Sequence, residues 1–186
     1  MTDKEWEEEA LKSCAGRIYD LITEKYRSLA QFLRESGINI STLRNWSYSL
    51  QYPDIMVLPA LVKYLDTPAD ELLWNGGEWQ TVRHRIKKAK GSRPEYVNTI
   101  RAWRDMPFSV LLTNAIIYED GSITNCASHI GVCSETIRKY TSGESIPKTK
   151  YLKRICEYFN LSADDALETI ALEIAQNEID RRMNDE

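Results

Sequence analysis

The sequence predicts an all-α protein made of two small helical domains in tandem. Three observations carry that prediction. Apolar residues recur at helical spacing along most of the chain. No stretch alternates apolar and polar residues as a half-buried strand would. The chain also repeats itself: a shift of 94 residues carries Pro53 onto Pro147, Ser28 onto Ser122, Gly37 onto Gly131 and Thr42 onto Thr136. The same shift carries Arg44 onto Arg138, Trp46 onto Tyr140, Tyr64 onto Tyr158, Ala69-Asp70 onto Ala163-Asp164 and Leu73 onto Leu167. Half of the 186 residues is a sufficient length for one small domain.

In the first copy, Ile18, Leu21 and Ile22 mark the opening helix. Ser28 suits the N-cap of a second, because its hydroxyl can accept from a free backbone N–H. Gly37 makes a tight turn, and a third helix is expected over Ile40 to Trp46 with Asn39 as its cap. Pro53 is expected to start a fourth helix, with Leu58, Leu61, Val62 and Leu65 on one face. Thr67-Pro68 opens another, and Asn75-Gly76-Gly77 breaks the chain.

In the second copy, Phe108, Leu111, Leu112 and Ala115 form an apolar stripe. Gly121 ends that helix and Ser122 caps the next, which runs to about Ile130. Gly131 makes the turn, and a helix from about Ser134 to Tyr140 follows. Gly143 and Pro147 bound a loop, after which Leu152, Ile155, Cys156 and Phe159 share one buried face. Ser162 with Asp165 resembles a capping box before the last helix, about Ala163 to Met183. Leu167, Ile170, Ile174 and Ile179 lie along one side of it, to close the core or to pair with a second chain.

The domains are therefore expected at 1–77 and 107–186, joined by a helical linker at 78–106 with helices over Trp79 to Lys90 and Pro94 to Met106. Charge separates the same regions. Residues 1–74 carry 8 basic and 12 acidic side chains, residues 75–107 carry 8 and 3, and residues 108–186 carry 8 and 13. The net charge of −4 does not suggest nucleic acid, yet the bridge is basic, densest at Arg83, Arg85, Lys87, Lys88, Lys90 and Arg93. A solvated helix surface explains such a run as well as a phosphate contact does.

The second copy contains Cys126-Ala127, Gly131-Val132, Thr136-Ile137, Tyr140, Gly143 and Pro147. This spacing resembles the lambda-repressor-like (Cro-type, or XRE) helix-turn-helix family. Its pattern is Leu-Ala, three residues, Gly-Val-Ser, two residues, Thr-Ile, two residues, Trp, two residues, Gly, three residues, Pro. The resemblance covers roughly two-thirds of each copy. Cys126 departs from the pattern's leucine, Cys133 from its serine cap and Tyr140 from its tryptophan. In the first copy Leu33 stands where a small alanine lets the two short helices approach, and Ser49 replaces the loop glycine.

The resemblance implies a sequence-specific regulator of transcription, of bacterial or phage repressor type, bound to double-stranded DNA. Its second short helix would enter the major groove. The implied readers are Ser134, Glu135, Thr136, Arg138 and Lys139 in the second copy. In the first they are Ile40, Ser41, Arg44 and Asn45. Arg suits guanine, Asn adenine and Glu cytosine. Lys148, Lys150, Lys87 and Lys88 are candidates for phosphate. Solvated side chains are the plain alternative for each. Trp46 and Tyr140 are expected in the core, together with Ile137, Leu43, Val132 and Ile38. A homodimer is an open expectation.

The second reading is a protein-interaction module that kept the fold and lost DNA binding, at least in the first copy, as the acidic Glu5, Glu7, Glu8 and Glu9 suggest. An enzyme is not expected: no nucleophile–base pair, metal cluster or phosphate loop stands out, and Asp164-Asp165 is explained by capping. No cofactor is expected. The cysteines Cys14, Cys126, Cys133 and Cys156 form no CxxC pair and read as reduced, mostly buried thiols. With no signal sequence at the acidic start and no membrane span in the sequence, a cytoplasmic protein is expected.

Overall fold

The computed structural model describes residues 3–48, 51–74, 105–119 and 121–184. All regular structure among them is α-helix. The chain divides into two units, Met1–Thr81 and Val82–Glu186, a division that falls inside the linker expected from the sequence. Asn75-Gly76-Gly77, Lys87, Lys88 and nearly all of the two linker helices lie outside the described residues. Asp105 and Met106 form a turn and a bend, so no helix runs to Met106.

The first unit holds α1 (Asp3–Lys25), α2 (Leu29–Ser36), α3 (Ile40–Tyr48), α4 (Leu58–Leu65) and α5 (Ala69–Leu73). The second holds α6 (Phe108–Glu119), α7 (Ile123–Ile130), α8 (Ser134–Thr141), α9 (Thr149–Phe159) and α10 (Ala163–Asn184). The 94-residue shift seen in the sequence aligns their limits. It carries α2 onto α7 end to end, the starts of α3 and α5 onto those of α8 and α10, and the ends of α1 and α4 onto those of α6 and α9.

The matching limits have matching local causes. Ser28 Oγ accepts from the Gln31 N–H at 3.2 Å, and Ser122 Oγ from the Asn125 N–H at 3.4 Å. Each hydroxyl takes one of the N–H groups that a helix start leaves unpaired. Gly37 (φ 69°) and Gly131 (φ 76°) then end α2 and α7 in the left-handed region, and their N–H groups close on Leu33 O and Ala127 O. Two further residues stop the core helices in the same conformation: Asp66 and Asn160, matched by the shift, both have φ 53°. Side chains that bond back to their own backbone make Asp and Asn tolerant of this geometry.

One helix start differs from expectation. Pro53 does not begin α4, which starts five residues later at Leu58. Asp54 accounts for the delay. Its carboxylate accepts from the Met56 N–H at 2.8 Å, folding residues 54–57 into a turn, and Pro59 then enters the first turn of the helix. Similarly, Pro147 precedes the helix, with Lys148 at the cap position of α9.

In the first unit the core gathers Ile18 and Ile22 of α1, Phe32 of α2, Leu43 and Trp46 of α3, and Leu58, Leu61 and Leu65 of α4, closed by Leu72, Leu73 and Trp74. The long α1 packs against each of the other four helices. Arg17 of α1 pairs with Glu71 of α5, and Tyr26 stands edge-on to Phe32 with ring centres 5.2 Å apart.

In the second unit the core gathers Phe108, Leu111, Leu112 and Ala115 of α6, Ile130 of α7, Ile137 of α8 and the expected face of α9. The first half of α10 closes this core with Leu167 and Ile170, whereas Ile179 and Met183 in its second half are exposed. Glu173 of α10 is buried, and its Oε2 accepts from the Ser109 N–H at 2.9 Å and from the Ser109 hydroxyl at 2.7 Å. The carboxylate thereby caps the start of α6, where negative charge is favoured. Gly143 presses on the same carboxylate so closely that a side chain there would collide with it, and its carbonyl accepts from Asn177 at 3.2 Å.

Cys14, Cys126 and Cys156 are buried and Cys133 is exposed, and none of the four is in a disulfide. Among the described residues there is no group of side chains fit to hold a metal ion, and no helix long and apolar enough to cross a membrane.

Candidate nucleic-acid interface

The helix that follows each left-handed glycine buries one face and exposes the other. In α8, Ile137 and Tyr140 point into the core. Glu135 and Arg138 are exposed and Lys139 is half-buried. Their spacing of i, i+3 and i+4 sets these three on one face. In α3, Leu43 and Trp46 are buried, and Ser41, Arg44 and Asn45 stand exposed at the same spacing. The shift carries each of these three onto its counterpart in α8. Val132, expected in the core, is only half-buried at the turn, whereas Ile38 at the matching position is buried.

The starts of the two helices use different chemistry. Asn39 Oδ1 accepts from the Ser41 N–H and from the Ser41 hydroxyl, both at 2.9 Å. Cys133 occupies the cap of α8 without a side-chain bond to the backbone, and its Sγ lies 3.2 Å from the Thr136 hydroxyl. The Thr136 hydroxyl, and after it the polar backbone at the start of the helix, lowers the thiol below its usual range. Both Ser41 and Thr136, expected to face a ligand, thus turn their hydroxyls toward their own cap.

The exposed faces differ in charge. Arg138 Nη1 lies 3.3 Å from Glu135 Oε2, and Lys139 Nζ lies 3.0 Å from Glu144 Oε1 in the loop after α8. Glu144, first through the hydrogen bond and then through its charge, raises Lys139 above the usual lysine range. In α3, by contrast, no described residue forms an ion pair with Arg44. Glu144 was not foreseen as part of this surface. Its signal was available, five residues after Lys139 at the point where Gly143 returns the chain.

Lys148 is exposed at the cap of α9, and Lys150 is half-buried with Nζ 6.0 Å from the Tyr151 ring centre. Lys87 and Lys88 lie outside the described residues. His129 is exposed on α7, stacked on Tyr158 with ring centres 4.4 Å apart. Tyr140 is pushed up to about 12, chiefly by burial and then by Tyr151 and Cys133 nearby, and so remains a neutral core residue. Comparison with protein-family models, with curated proteins and with solved structures returns no match for the chain.

Proposed function

We propose that this chain is a sequence-specific double-stranded DNA-binding regulator of transcription, of the lambda-repressor-like helix-turn-helix type, with one reader in each unit. It is a binding protein and not an enzyme. The observation that carries this reading is the repeated outward-facing triplet. Ser41, Arg44 and Asn45 on α3 and Glu135, Arg138 and Lys139 on α8 occupy matched positions, each on a short helix placed after a capped helix and a left-handed glycine.

A helix of this width fits the major groove, and side chains in its first two turns reach base edges. Arg44 and Arg138 offer bidentate bonds to guanine, Asn45 to adenine, and Glu135 accepts from cytosine. The caps of α2 and α7 and the exposed Lys148 are suited to phosphate contacts that set the register. Lys150, Lys87 and Lys88 extend this set. An acidic chain binds phosphate when local cations outnumber local carboxylates, and the basic bridge serves that end.

One observation favours the second reading, a protein-interaction module in which DNA binding is lost. Both cations of α8 are already paired with carboxylates. The pairs are exposed, however, and such pairs contribute only ~0–1 kcal/mol each, so a phosphate or a guanine can displace them.

The test is to titrate the full chain into a random duplex library, sequence what it retains, and measure affinity for the enriched duplex as salt is raised. An enriched motif with a steep salt dependence is expected. Absence of enrichment at moderate salt overturns the reading and leaves the interaction module.

A further inference from the structure

The first residue of α3 is Ile40, a large aliphatic side chain that is 40% exposed at the edge of a face otherwise made of Ser41, Arg44 and Asn45. It is not one of the buried core residues, and a β-branched residue is not a strong helix former, so helix propensity does not account for it. In the second unit the shift places Ser134 at this position, while arginine stands one turn later in both units, at Arg44 and Arg138.

We infer that Ile40 reads the 5-methyl group of a thymine, and that this contact distinguishes the DNA half-site of the first unit from that of the second. The inference rests on the DNA-binding reading above. Among the base edges of the major groove, the thymine methyl is the apolar feature, and an aliphatic side chain is its complement. Residues one turn apart lie ~6 Å apart along a helix, so the thymine falls within about two base steps of the guanine bound by Arg44. Ser134 has no aliphatic surface to offer and discriminates by hydrogen bonding instead. The two half-sites therefore share a guanine and differ in whether a methyl group beside it matters.

The experiment replaces single thymines by uracil in the duplex enriched from the random library. This removes the methyl group and leaves every hydrogen-bonding group in place. In the half-site that is lost on Arg44→Ala, one such replacement is expected to weaken binding about fourfold, the effect of removing one carbon from apolar contact. Ile40→Ala should bind the thymine and uracil duplexes equally. Its fold should persist, because Ile40 is exposed and alanine is the better helix former, and circular dichroism checks this. Ser134→Ile should create a thymine preference in the other half-site. An enriched, Arg44-dependent half-site indifferent to uracil at every thymine overturns the inference while leaving the DNA-binding reading intact. Absence of any enriched motif overturns the reading itself.

Discussion

In the second unit the two short helices α7 and α8 pack directly on each other, whereas in the first unit α3 makes its principal contact with α1. One pair of matched residues shows why. Ala127, almost fully buried, lets α8 close on α7, while Leu33 at the same position of α2 is larger and half-buried. The neighbouring pair shifts volume in the same sense, since Phe32 fills the space that Cys126 fills in the second unit. Two units that share the cap and the turn of α2 and α7 thus support their outward triplets differently. The α8 triplet rests on a tight helix pair but carries neutralised charge, and the α3 triplet rests on α1, with no ion pair to Arg44 among the described residues. Packing and charge are separate requirements of the proposed reader, and each unit meets one of them better.

The largest effect is expected where this difference is removed. Ala127→Leu should overpack the α7–α8 contact and destabilise the second unit by about 2–3 kcal/mol, while leaving the first unchanged. Hydrogen exchange measured on peptides from each unit checks this, and equal loss of protection in both would break the comparison.

A second expectation concerns Tyr140, matched by Trp46, which does not titrate. The raised pKa of Tyr140 means the folded state binds its proton more tightly than the unfolded state does. Its contribution is constant below about pH 10 and lost as pH rises toward 12, on the order of 2 kcal/mol over that window. Tyr140→Phe should therefore gain stability relative to the wild type between these pH values in urea unfolding. Parallel losses in the two proteins would contradict this. Tyr26 is also raised, by burial first and then by Glu35 and Tyr64, so the variant should keep part of the alkaline loss.

The caps are expected to be equivalent. Ser28→Ala and Ser122→Ala should each cost about 1 kcal/mol, because each removes one bond to an otherwise unpaired N–H. A large inequality in urea unfolding would show that the two helix starts are supported differently.

These caps mark the part of the fold that was legible in the sequence. Ser28, Gly37, Ser122 and Gly131 act on their own neighbours within a few residues, so the limits of α2, α3, α7 and α8 follow from local pattern. The start of α4 was misplaced because Asp54, a local turn former, outweighed the cue from Pro53. The left-handed stops at Asp66 and Asn160 were overlooked, although two matched residues tolerant of that conformation were a usable signal. The bond from Glu173 to Ser109 spans 64 residues, and no local pattern reports it. The candidate surface was readable as positions. Its charge balance was not, because the pairing of Lys139 with Glu144 depends on how Gly143 turns the loop.

The smallest effect tests that charge balance. Glu144→Gln should leave stability nearly unchanged, since the pair is exposed, and strengthen DNA binding severalfold by freeing Lys139 and removing a charge that repels phosphate. Fluorescence anisotropy with a labelled duplex reads this. Weaker binding would show that Glu144 holds Lys139 in its working position.

The central claim is that both units read bases from one chain, and selection from a random duplex library tests it most directly when repeated with two variants. Arg44→Ala/Asn45→Ala should erase one half of the enriched motif, and Arg138→Ala/Lys139→Ala the other. Because the two triplets differ, the halves should not be identical. A motif of two identical halves, both lost with the same variant, would contradict the account and would mean that two chains bind through one unit each.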